Sequence, residues 1–164
     1  MLKYALTGHT QGIGKGLFER LSPNVIGFSK STGYDITRPD DRRRIVAESA
    51  ECDVFINNAH RPYSQTWIFI MLVNEWKDRE DKTIINVGSR ITDLIMPNDS
   101  LNLLEYQASK LILKEMTFKV PNVKCKIKYK SFGYVGTEAI LTKYPHFTEK
   151  DYISIDEACD IILS

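Results

Sequence analysis

The sequence predicts a doubly wound α/β domain built on a mainly parallel sheet. Three observations carry that expectation. Short apolar runs alternate with helix-length segments along the 164 residues. A glycine-rich turn joins the first run to the first of those segments. No repeat, linker or low-complexity stretch interrupts the alternation, so one sheet covered by helices on both faces accounts for the pattern. A single domain of this length buries roughly 70% of its unfolded surface, enough for a core without staples.

Each element has its own signal. Leu2 to Leu6 reads as the first strand. Gly12 to Leu21 has helical spacing and stops at Ser22-Pro23. The run 24–29, NVIGFS, reads as the second strand. Thr37 offers a cap for a helix with Pro39 in its first turn and Asp40 placed as in a capping box, running to about Glu51. Residues 53–59 and 83–89 read as the third and fourth strands. The segment 64–80 is so evenly apolar at its centre that it shows no stripe; its length and its place between strands favour a helix buried on most sides. Residues 101–119 form a long amphipathic helix stopped near Pro121. The run 123–132 alternates with period two, the mark of a strand with one polar face or near an edge. A last helix covers Asp156 to Leu163, and no glycine-rich strand follows it.

Composition excludes several classes of function. With 22 basic and 21 acidic side chains the net charge is +1, which gives no general reason to expect nucleic acid or an anionic membrane as partner. The basic cluster RPDDRRR at 38–44 carries two aspartates and reads as a solvated helix face. The longest uninterrupted apolar run, Trp67 to Val73, is too short to span ~30 Å of hydrocarbon. No secretory signal pattern opens the chain. Cys52, Cys125 and Cys159 are odd in number and far apart; they read as buried hydrophobes in a reducing, cytoplasmic setting. His9, His60 and His146 stand at no metal-binding spacing.

Two constellations carry chemistry. Gly8, Gly12 and Gly14 follow a strand and open a helix, where glycine lets the backbone turn sharply and approach a pyrophosphate, and where free helix N–H groups face an anion. Tyr106 and Lys110 stand four apart on the long helix, on one face. A free tyrosine has a pKa near ~10, and a neighbouring cation lowers it towards a useful proton donor and acceptor.

Taken in chain order, these residues resemble the short-chain dehydrogenase/reductase family over about residues 2–140. TGHTQGIG is similar to its TGxxxGIG cofactor loop, and YDI to its adenine-contacting Asp plus aliphatic. NNAH resembles its NNAG strand end, LVN its helix asparagine, and INVGS its serine strand. YQASK resembles its YxxxK, and FGYVGT its PGxVxT loop. The resemblance implies a Rossmann-type fold and an oxidoreductase that moves hydride between a nicotinamide cofactor and a carbonyl or alcohol. It implies catalytic roles for Tyr106 as proton donor, Lys110 as its tuner and ribose holder, Ser89 as polariser of the carbonyl, and Asn74 as holder of a relay water. It implies cofactor contacts from Gly8, Thr10, Gln11, Gly12, Ile13 and Gly14, from Ser29, Lys30, Asp35 and Ile36, from Asn58, Ala59 and His60, from Tyr106 and Lys110, and from Gly133, Val135 and Thr137. Ser29 and Lys30 at the end of the second strand suit a 2′-phosphate, so NADP is preferred over NAD.

The sequence departs from the family pattern at three places. His60 replaces the last glycine of NNAG, Phe132 replaces the proline of PGxVxT, and the family's last strand is expected to be absent. A homodimer is expected through the Tyr106 helix and the helix around Trp67 to Trp76. The competing reading is an NADP-binding regulatory or redox-sensing module without turnover.

Overall fold

A computed structural model describes residues 1–95 and 101–164. Strands β1 (Tyr4–Thr7), β2 (Val25–Phe28), β3 (Val54–Asn57), β4 (Thr83–Val87) and β5 (Lys126–Lys130) form one sheet in the order β2-β1-β3-β4-β5. Every pairing is parallel. The strand order reverses direction between β1 and β3, and in such sheets ligands bind outside the carboxyl ends of the strands at that point.

Period two along the strands builds both cores. Ala5, Phe55 and Ile84 point into one apolar cluster, whereas their neighbours Leu6, Ile56 and Ile85 point into the other. The first cluster is closed by α2 (Pro39–Glu48), α3 (Ser64–Trp76) and α4 (Leu101–Lys119) through Ile45, Phe69 and Leu113. The second is closed by α1 (Gly12–Leu21) and α6 (Ile155–Leu163) through Leu17 and Ile162. Gly16 leaves room for Ile155 and Cys159 of α6, and Arg20 of α1 pairs with Asp156 and Asp160.

The expected doubly wound sheet is present, and among the described residues no strand follows β5. The alternating run becomes an edge strand, as its polar face requires; Lys128 and Lys130 bond Ser164 at the end of α6. The ambiguous apolar segment is a helix that buries Ile68, Phe69, Leu72 and Trp76. It ends at Trp76, short of residue 80. The start of α2 differs from expectation. Thr37 gives its hydroxyl to Asp35 Oδ1 at 2.7 Å, so Arg38 is the cap residue and Pro39 opens the helix without a capping box. That helix ends at Glu48, three residues before Glu51. Between β5 and α6 lie the short helix α5 (Glu138–Lys143) and a bridge pairing Val135 with Ile153.

Candidate active site

The loop after β1 is shaped by close backbone approach. Gly8 and Gly12 have φ of 74° and 51°, the left-handed region that glycine enters without strain. A Cβ on Gly14 would lie 1.9 Å from the Gly8 carbonyl oxygen, so only glycine lets α1 start against the turn. Thr7 fixes the other wall: its Oγ1 accepts from the Asn58 and Ala59 amides, and Asn58 Nδ2 donates to the Thr7 carbonyl at 3.0 Å. Gln11 caps α1 without a side-chain bond, which leaves the first helical N–H groups free for an anion.

A groove of about 550 Å³ runs from this loop across the switch point. Gly8, Thr10 and Gln11 line one part, Ser29, Lys30, Asp35 and Ile36 the far end, and Ala59 and His60 the β3 side. The wall also includes Tyr34 and Arg61, which the sequence reading did not single out. The far end is pre-paired: Lys30 Nζ lies 3.2 Å from Asp35 Oδ2. Asp35 also accepts from the Thr37 hydroxyl and amide, and these bonds hold its carboxyl down at about 2. Ser29 is tied to His9, whose Nδ1 is 3.1 Å from Ser29 Oγ and whose ring fills the space a side chain on Gly27 would take. In the sequence the only sign of His9 is an imidazole inside the loop motif.

Ser89, Tyr106, Lys110 and His60 meet at the carboxyl ends of β3 and β4. The His60 and Tyr106 rings are edge to face with centroids 4.6 Å apart. The Lys110 ammonium lies 5.8 Å from the centre of the Tyr106 ring. Burial pushes the Tyr106 phenol up, and the neighbouring Ser89 hydroxyl opposes that shift only in part. Here the structure differs from expectation: Lys110 does not draw Tyr106 below its free value, because the tyrosine is desolvated. The same burial pushes Lys110 down to about 7 and His60 down to about 4. His60 is therefore neutral near pH 7, and its buried Nδ1 has no hydrogen-bond partner among the described residues.

Asn74 does not join this group. It is exposed near the C-terminal end of α3 and lines a separate cavity of about 380 Å³ with Arg43, Ala47, Trp76 and Arg79. The residue of α3 that reaches Lys110 is Gln65, whose Oε1 accepts from Lys110 Nζ at 2.8 Å. Asn74 is nine residues further on, ~13 Å along the axis and roughly half a revolution around it, so it cannot share that face. Gln65 was hidden in the sequence; it stands between Ser64 and Thr66 in the polar first turn of a helix that is apolar at its centre.

The loop after β5 divides. Thr137 packs against Gly12; a Cβ there would stand 3.1 Å from Thr137 Cγ2. Val135 is buried in the cluster under α1 and α6, so its side chain packs the core rather than facing the groove. Phe132, in the proline's place, is buried in the same cluster. Gly133 is exposed, and Ile13 packs partly against that core.

No family model and no curated protein matches the chain by sequence. Solved structures match by shape. A short-chain dehydrogenase from Burkholderia cenocepacia J2315, in complex with NADP, superposes with a TM-score of 0.74 at 20% identity, covering 99% of this chain and 82% of that one. An actinorhodin polyketide ketoreductase with NADPH gives 0.73 at 17% identity over 99% and 89% of the two chains. A ribose-5-phosphate isomerase from Brucella melitensis 16M gives 0.77 at 16% identity over 98% and 83%. Different chemistries thus share this backbone, and the reaction has to be argued from the site. The parallel five-stranded sheet, its helices on both faces and the glycine loop at its switch point give this chain the fold of the short-chain dehydrogenase/reductases.

Proposed function

We propose that the chain is an oxidoreductase that uses NADP to interconvert a carbonyl and an alcohol, with Tyr106, Lys110 and Ser89 as its catalytic residues. The observation that carries this is their convergence beside His60 at one end of the groove that begins at the glycine loop. The residues present suit a dinucleotide. The left-handed turns at Gly8 and Gly12, the free N–H groups at the start of α1 and the basic Lys30 match a pyrophosphate and a 2′-phosphate.

When bound, the cofactor supplies hydride. The protein's part is proton handling and orientation. Tyr106 gives its phenolic proton to the substrate oxygen during reduction, and its raised pKa keeps it in the protonated form this direction needs. Ser89 donates a hydrogen bond to the same oxygen and stabilises the charge that develops there. Lys110, as ammonium, offsets the phenolate that Tyr106 leaves behind. Lys110 is buried on α4, whereas Tyr106 and Ser89 are half-buried beside it, within reach of a substrate.

The test is NADPH oxidation over a panel of aldehydes, ketones and quinones. Tyr106→Phe is expected to abolish turnover and to spare NADPH binding, since one hydroxyl is lost. Ser89→Ala is expected to raise the barrier by about 2.7–4 kcal/mol. Full turnover by Tyr106→Phe would refute the assignment. A second reading, a cofactor-binding module without turnover, is favoured by the same burial: it lifts Tyr106 and lowers Lys110, so neither charged form is strongly held without ligand. NADPH binding with no turnover on any carbonyl would select that reading.

A further inference from the structure

Lys110 is 3% exposed, and among the described residues no carboxylate pairs with it; burial pushes its titration down. Two acceptors hold it: Gln65 Oε1 at 2.8 Å and the Val87 carbonyl at 3.0 Å. Gln65, also 3% exposed, is fixed in one orientation. Its Nε2 donates to the carbonyls of Asn57 on β3 and Val87 on β4. Turning the amide over would set its oxygen against two carbonyls and its N–H groups against an ammonium, so the oxygen has to face Lys110.

The support continues behind it. Asn57 Nδ2 donates to the Gln65 carbonyl and to Asn86 Oδ1, each at 2.9 Å. Asn86 Nδ2 donates to Thr117 Oγ1 at 2.9 Å, which ties the chain of amides back to α4. Asn57 and Asn86 are register partners in adjacent strands, so the sheet itself sets this spacing. The first turn of α3, two strand ends and α4 are thus locked around one acceptor. An ammonium has three donors; with two engaged, the third is left for Tyr106 or a ligand.

We propose that Gln65 is the positioning residue of this site: its carboxamide oxygen holds the Lys110 ammonium beside Tyr106 and favours its charged form. Its catalytic consequence rests on the proton transfer proposed above; the anchoring itself does not. The groups that face Lys110 are Tyr106 on its own helix and His60 from the segment after β3, and Arg61 acts on His60. Since neither ring is negatively charged near pH 7, the oxygen of Gln65 and the Val87 carbonyl are what favour the ammonium.

The test is a pH titration of Lys110 in protein labelled with ¹³Cε-lysine, its resonance assigned by loss in Lys110→Met. Gln65→Leu removes the acceptor and is expected to lower the midpoint by about a unit or more. Gln65→Glu places a carboxylate at the same point and is expected to raise it by about 1–3 units. Asn74→Ala is expected to leave it in place. The alkaline limb of NADPH oxidation is expected to move with the midpoint in each variant. A folded Gln65→Leu protein whose Lys110 titrates as in the wild type overturns the proposal. Should Gln65→Leu fail to fold, an unshifted or lowered midpoint in Gln65→Glu overturns it as well. Opposite shifts in the two variants without turnover on any carbonyl support the anchoring and count against the oxidoreductase reading alone.

Discussion

Lys110 shows what burial does to a single residue. Its folded value of about 7 lies well below the ordinary 10.5, so between those values the unfolded chain holds a proton that the folded chain does not. Stability from this group therefore rises with pH across that window, and below about 7 the burial cost is present in full. Lys110→Met removes that dependence. Its stability relative to the wild type is expected to fall between pH 7 and 10.5, by an amount on the order of a few kcal/mol, in denaturant melts at each pH. A difference that stays constant with pH would contradict the burial argument. His60 runs the same way in acid: the fold is expected to lose stability as pH falls from about 6.5 towards about 4. At this scale the sequence was partly legible. Tyr106, Lys110 and Ser89 were visible because their spacing is local or sits on a strand end. Gln65 and His9 were not, since each matters through contacts with residues far along the chain, Lys110 in one case and Ser29 and Gly27 in the other.

The glycine loop and α1 form the element whose sequence speaks most directly. Spacing, a preceding strand and a following helix all require glycine, and the geometry supplies the reason at Gly14. Gly14→Ala pushes a methyl group into the Gly8 carbonyl. It is expected to destabilise the fold by about 1–3 kcal/mol and to weaken NADPH binding further, seen by thermal melts and cofactor titration. The opposite end of the groove tests cofactor choice. Lys30→Ala is expected to weaken NADPH by about 1.5–3 kcal/mol and to leave NADH nearly unchanged, provided Lys30 exchanges Asp35 for a phosphate. Equal losses would contradict a 2′-phosphate site. Helix boundaries were less legible than helix identities. Asp35 took the Thr37 hydroxyl that local pattern had assigned to α2, a competition between two local partners that sequence spacing alone does not rank.

At the scale of the molecule, a parallel sheet with both faces covered follows from alternating elements and needs no special residue. The chain reaches this fold with five strands, ending the sheet at β5 among the described residues. No described helix is long and apolar enough to cross a membrane. The adjacent helices α3 and α4 expose Trp67 at 54% and Phe118 at 69%, together with Leu111, Ile112 and Met116. We therefore propose a homodimer through these helices; light scattering at micromolar concentration is expected to give twice the mass of 18.8 kDa, and a monomer would refute it.

We propose that Tyr106 protonates a carbonyl oxygen as hydride from a bound nicotinamide reaches the carbonyl carbon. The direct measurement follows the hydride: NADPH carrying deuterium at the transferable position, a reactive carbonyl from the panel, and mass spectrometry of the alcohol. The wild type is expected to place one deuterium on the carbinol carbon, and Tyr106→Phe, with NADPH still bound, to give no labelled alcohol. Labelled alcohol formed equally fast by both proteins, or alcohol without deuterium, would contradict it.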